Sequence, residues 1–292
     1  MPDTSVNHFI VVVSIFNCTH LIRRVVRSVQ DQLYLSWTIL FVDDYSIGDT
    51  KNVILDSAEN NAKIQYRQMR KNSGVNAVRN RIIEEAKAID NKAYLLFIDD
   101  DDYLAKNSLV LADKEISVHP EYNWFSLNCN YEGGVAISKI AQYGALSYLN
   151  DYMFGKKIRG DFTHILRLEA LGAERFTSEF KNGEEWSFSV ELSLTHTIYA
   201  IDVPGYIKEY LEGGLTETGI NSDKAIKVLK FKIDTLEPIV GKKKMAHQYV
   251  SLAKNYLAKK YFIHAARALN EVLKSSPFYL GSIGTGLFFL TR

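Results

Sequence analysis

Apolar and polar positions alternate along the first hundred residues in two rhythms. Phe9 to Phe16 is an unbroken run rich in Val and Ile, the pattern of a strand covered on both faces. Leu21, Val25, Val29 and Leu33 then recur at helical spacing. Trp37 to Val42 is a second apolar run, closed by Asp43-Asp44, and a helix carrying Val53, Ile54 and Ala58 follows with Asp49 or Thr50 as its cap. Ile64 to Met69 predicts a weaker third strand and Asn72-Ser73-Gly74 a turn. Val78, Ile82, Ala86 and Ile89 form the next helical stripe, and Tyr94 to Ile98 a fourth strand that runs into Asp99-Asp100-Asp101-Asp102. This order predicts an α/β fold, a doubly wound, mostly parallel sheet covered by helices, with ligands gathered beyond the carboxyl ends of the strands. Each polar cluster falls at such an end.

Beyond residue 105 the rhythm loosens. Tyr122 to Asn128 reads as a strand, Asp161 to Gly172 as a helix and Glu184 to Thr195 as another helix. From Ser222 onward the pattern is helical, and the stripes Met245, Tyr249, Leu252, Tyr256 and Ala265, Leu269, Val272 look like one hairpin of the tetratricopeptide kind, which would pack on the main domain. The expected division is a main domain over residues 1–218, with halves of about 1–104 and 105–218, and a C-terminal helical extension over residues 219–292. Pro277 to Leu290 is apolar and aromatic but shorter than the ~20 residues of a spanning helix. It suits packing or an oligomer contact, such as a homodimer, with peripheral membrane contact as the alternative.

Composition narrows the partners. A chain of 292 residues with 47% hydrophobic residues is globular, and 35 Lys and Arg against 34 Asp and Glu leave no basic surplus for a nucleic-acid partner. Cys18 and Cys129 suit two buried thiols in a reducing compartment. No basic segment precedes the apolar run at Phe9, so a cytoplasmic protein is expected.

The aspartate run carries the most chemistry. In an extended chain Asp99 and Asp101 point the same way at ~6–7 Å, where two unit charges repel by ~2.5 kcal/mol at an effective dielectric of 20. A cation relieves that repulsion, and an all-oxygen donor set suits Mg²⁺ or Mn²⁺. Asp101 is the metal candidate, Asp100 should face away, and Asp102 reads as a solvated or capping residue. A solvated acidic loop is the alternative for the whole run. Asp43-Asp44 allows either a hydrogen bond to a base or ribose, or a plain turn before Gly48-Asp49-Thr50.

With these clusters placed, the chain resembles the family 2 glycosyltransferases of the GT-A fold. The resemblance rests on Val12-Val13-Ser14-Ile15-Phe16-Asn17, Val42-Asp43-Asp44-Tyr45-Ser46, Asn72-Ser73-Gly74-Val75 leading to Arg79-Asn80, Phe97-Ile98 with the four aspartates and Tyr103-Leu104, and Gly183-Glu184-Glu185-Trp186. It implies an inverting, metal-dependent hexosyltransferase that moves a sugar from a nucleotide-sugar donor, with UDP favoured, to a saccharide or lipid-linked acceptor in bacterial surface polysaccharide synthesis. Ser14 and Phe16 would then line the base pocket, Asp43 bond the base, and Arg79 lie near the ribose or diphosphate. Asp99 would approach the ribose, Asp101 the metal. Phe16 stands where the family often has Tyr, and Ser14 where it often has Pro. Glu185 occupies the place of the family's catalytic base, Glu for Asp, with Glu184 as second choice; acids opening a helix are the structural alternative. His164 falls in the acceptor region, and the glycines of Leu211 to Thr216 resemble a loop near the diphosphate. A peripheral position at the inner face of the membrane is the alternative to a free cytoplasmic one.

Two other readings share some of these features. A sugar-nucleotidyltransferase would carry a Gly-rich basic loop after the first strand, and Ser14 to His20 holds neither Gly nor Lys. A catalytically silent nucleotide-sugar-binding scaffold would tolerate loss of Asp99, Asp101 or Glu185, all present here.

Overall fold

The computed structural model describes residues 6–155, 157–208 and 222–276, which fall into two compact units divided between residues 211 and 212. In the first unit, β1 (Phe9–Ile15), α1 (Ile22–Gln30), β2 (Trp37–Asp43), α2 (Thr50–Ala58), β3 (Ile64–Gln68), α3 (Val75–Ile89) and β4 (Tyr94–Asp99) follow the predicted alternation. β1 lies between β2 and β4, parallel to both, and β3 extends the sheet in parallel beyond β2. β1 and β2 are buried on both faces: α1 and α2 pack around Val11, Val13, Ile39 and Ile54, and α3 also lies against both strands. Leu33 lies past the end of α1 and is exposed, so the predicted stripe stops one turn early.

The remaining strands and α-helices of this unit are β5 (Tyr103–Leu104), α4 (Ser108–Val118), β6 (Trp124–Tyr131), β7 (Lys139–Ile140), β8 (Gly144–Leu146), β9 (Ile158–Arg159), β10 (Phe162–Arg167), α5 (Trp186–Ser193) and β11 (Ile198–Lys208). The main sheet runs β3-β2-β1-β4-β10-β6-β11-β5, with β8 on β11, while β7 and β9 form a separate pair. The helix predicted over Asp161 to Gly172 is instead β10 followed by a single 3₁₀ turn, Leu168–Ala170. β10 is inserted antiparallel between β4 and β6. Both of its faces are covered, with Phe162, Thr163, Ile165 and Leu166 all buried, and an apolar run of that length has no period to separate strand from helix. β11 runs parallel to β6 with register shifts on either side of Pro204, where the missing N–H breaks the ladder.

The second unit holds α6 (Ser222–Val240), α7 (Lys242–Ala258) and α8 (Phe262–Ser275). α7 and α8 pack through Ala246, Val250 and Val272, with Tyr249 against them. The sequence expectations for Leu211 to Thr216 and for Pro277 to Leu290 lie outside the described residues.

Candidate active site

Four strand ends converge. Ser14 of β1 sits in register between Val42 of β2 and Asp99 of β4. Phe16, the first residue past β1, is half exposed. The loops after β1 and β2 are tied together: Asn17 N–H donates to Ser46 Oγ at 2.8 Å, and Ile47 N–H donates to Asn17 Oδ1 at 3.0 Å.

Asp43 and Asp44 are both buried and divide their work. Asp43 accepts from the Ser46 backbone and hydroxyl, from Tyr66 Oη at 2.7 Å and from Gln68 Nε2 at 3.3 Å. A base contact at Asp43 would compete with these donors. Asp44 accepts the Ser73 and Gly74 N–H groups at 2.7 and 2.8 Å, which locks the turn that opens α3.

The aspartates after β4 fold back on themselves. Asp102 N–H donates to the Asp99 carbonyl at 3.2 Å, and Arg24 Nη2 holds the Asp101 carbonyl at 2.6 Å. Asp99, Asp101 and Asp102 each bring a carboxylate oxygen within 4.8 Å of the others. Asp102, expected to be solvated, is instead fully buried and one of this trio. Asp100 stays outside the trio, on the side of Cys18 and Phe16. Burial first, then the like charges of Asp101 and Asp99, push the Asp100 carboxyl up to about 7. Burial and Asp99 raise Asp101 in the same direction. Three acidic oxygens with no nitrogen or sulfur donor among them fit a hard divalent cation such as Mg²⁺ or Mn²⁺.

Arg79 joins this cluster to the opposite wall. Its guanidinium donates to Asp99 Oδ1 at 3.3 Å and to Glu185 Oε1 at 2.8 Å, and lies 5.5 Å from the centre of the Phe176 ring. Glu185 is the residue before α5; Glu184 has φ +63° and turns its carboxylate to accept from Trp186 Nε1 at 2.6 Å. Glu185 therefore faces the site, while Glu184 braces the entry to α5.

A cavity of about 170 Å³ opens beside Arg79, Asp99 and Glu185 and is walled by Trp124, Phe162, His164, Phe176, Phe188 and their neighbours. His164 Nδ1 accepts from Trp124 Nε1 at 3.1 Å and lies 2.8 Å from Ser126 Oγ. Burial lowers the imidazole to about 4, so it is neutral near pH 7.

Sequence reasoning missed the device that delivers Glu185. Asn76 Nδ2 donates to the carbonyls of Thr177, Phe180 and Gly183, and Asn80 makes a reciprocal pair with the Phe176 backbone at 2.8 and 2.9 Å. The spacing of Asn76, Arg79 and Asn80 places all three on one face of α3, beside the Val78, Ile82, Ala86 stripe, and that polar row was the available signal. Trp124 and Ser126 carried none, because their partner His164 lies on a strand that read as a helix.

Comparisons with known proteins bear on this fold and its acidic strand ends. Residues 10–118 match the model of glycosyl transferase family 2. That match runs from β1 through α4, and the fold is of the GT-A type. It is 25% identical over 291 residues to the GalNAc(5)-diNAcBac-PP-undecaprenol beta-1,3-glucosyltransferase of Campylobacter jejuni subsp. jejuni, across 88% of this chain and 86% of that protein. The fold is shared with S. aureus TarS 1-349 in complex with UDP-GlcNAc, at TM-score 0.68 and 19% identity over 94% of this chain and 83% of that one. The mannosyltransferase PcManGT from Pyrobaculum calidifontis, in complex with GDP-Man and Mn²⁺, matches at TM-score 0.51 and 14% identity over 98% and 82%.

Proposed function

We propose that this glycosyltransferase inverts the anomeric centre of a nucleotide-diphosphate sugar, a UDP-sugar, as it moves the sugar to a hydroxyl of a saccharide or lipid-linked acceptor in bacterial surface polysaccharide synthesis. The observation that carries the reading is Arg79, whose one guanidinium reaches both Asp99 at the strand-end cluster and Glu185 at the cavity wall. Direct displacement needs those two sides close together, one to hold the leaving diphosphate and one to take the acceptor proton.

On this reading Phe16 offers an exposed ring for the base, with Ser14 and the loop held by Asp43 as the pocket's floor. Asp101 would hold Mn²⁺ or Mg²⁺, with Asp99 and Asp102 beside it. When bound, such a cation neutralises charge developing on the leaving diphosphate. Arg79 is drawn from Glu185 towards the arriving phosphates, and Glu185, no longer paired, accepts the proton of the attacking hydroxyl. Glu184 remains the second candidate base. The relative from Campylobacter jejuni carries PP-undecaprenol in its name, which supports a lipid-linked acceptor and a peripheral position at the inner face of the membrane. No helix among the described residues is long and apolar enough to cross a membrane. α8 exposes Phe262 and Ile263 beside Lys260 and Arg267, a composition that suits contact with anionic lipid. Residues 1–218 are taken as the transferase domain and 219–292 as the helical extension.

The test is Glu185→Gln. Donor binding measured by calorimetry should stay within about twofold, and transfer should fall by ~10²-fold or more. Turnover at the wild-type rate would place the base elsewhere, with Glu184→Gln as the next variant.

A further inference from the structure

The cavity beside Glu185 has a chemistry of its own. Phe176 and Phe188 stack with ring centres 4.3 Å apart, and Phe162, Leu166 and Leu192 extend the apolar wall. The polar side chains deeper in are already committed, Ser189 to Tyr148 and Tyr206 to Cys129. His164 is the exception. An indole N–H can only donate, so the imidazole nitrogen facing Trp124 must accept. In a neutral ring the proton then sits on Nε2, which has no hydrogen-bond partner among the described residues of this cavity wall. Trp124 thus fixes His164 Nε2–H as a donor with no acceptor among the described residues of the wall, set beside apolar side chains.

Resting on the transferase reading above, we propose that this chamber receives the acylamino group of an N-acetylated sugar, its carbonyl oxygen accepting from His164 Nε2–H and its methyl packing on the phenylalanines. A hydroxyl would satisfy the donor too, but it brings a proton of its own that the apolar walls cannot accept. A carbonyl with a methyl beside it matches both features. The amide N–H has the carboxylates of Asp99 and Glu185 at the mouth.

The N-acetylated sugar can belong to the donor or to the acceptor, and two arms separate these. In the first, full-length protein with Mn²⁺ is titrated with UDP-N-acetylglucosamine, UDP-glucose and UDP. In the second, protein holding UDP and Mn²⁺ is mixed with methyl glycosides of N-acetylglucosamine and glucose, and binding is read by saturation-transfer NMR. One arm should favour the N-acetyl form by about tenfold or more, a difference that His164→Phe reduces to within about threefold. Trp124→Phe, which keeps an aromatic wall but frees the tautomer, should weaken the preference severalfold. Equal binding of both sugars in both arms overturns the proposal, as does a preference that survives both substitutions. UDP affinity serves as the control: wild-type protein that fails to bind UDP with Mn²⁺ contradicts the transferase reading and removes the ground for this one.

Discussion

Arg79 shares one guanidinium between Asp99 and Glu185, an arrangement that depends on a planar fork. Lysine keeps the charge but cannot reach both oxygens, so Arg79→Lys should weaken donor affinity by roughly tenfold in calorimetry while the melting temperature stays nearly unchanged. Full donor affinity in that variant would mean that Arg79 serves packing alone. His164 makes a second prediction. Its folded value of about 4 lies below its ordinary 6.5, so between those values the unfolded chain binds more protons and stability falls as pH drops through the window. The full loss is roughly 3 kcal/mol below pH 4. Asp100 and Asp101, raised by burial and like charge, act in the opposite direction. The contribution is therefore isolated as the unfolding free energy of wild type minus that of His164→Gln, which should decline from pH 6.5 to 4; a flat difference contradicts it. At this scale Asp99 and Asp101 were legible because charge repeated at a strand end stands out, whereas Arg79 and Glu185 came into view only through the family resemblance. Asp102 was not, since burial of a carboxylate in a tight turn leaves no periodic trace.

At the scale of elements, the turn into α3 governs where Glu185 lies. Gly74 has φ +89°, and a Cβ there would sit 2.4 Å from the Lys181 carbonyl oxygen. Only glycine combines that backbone conformation with such an approach. Gly74→Ala should cost roughly 1–3 kcal/mol in urea unfolding and push the 176–183 segment away, reducing transfer more than donor binding. Unchanged stability and turnover would show that the segment is held elsewhere. The helices and parallel strands of the first half were legible because buried strands and amphipathic helices have distinct periods. β10 was not, because a strand buried on both faces loses its alternation. The Asn76 and Asn80 clamps bind partners about a hundred residues away, a separation that local patterning does not report.

At the scale of the whole molecule, the near-neutral total charge conceals acid placed where strands end. The family 2 match covers residues 10–118, the part whose alternation was clearest. The second half of the first unit supplies Glu185 and the cavity, and its function depends on antiparallel insertion that only the folded sheet reveals. The central claim is that the trio Asp99, Asp101 and Asp102 makes sugar transfer depend on a divalent cation. Its most direct measurement is release of UDP from a panel of UDP-sugars, with Mn²⁺ and with chelator, in wild type and Asp101→Ala. Release should require Mn²⁺ in wild type and fall by ~10²-fold or more in Asp101→Ala, with the melting temperature retained. Release that continues in chelator, or at the wild-type rate in Asp101→Ala, would contradict the account.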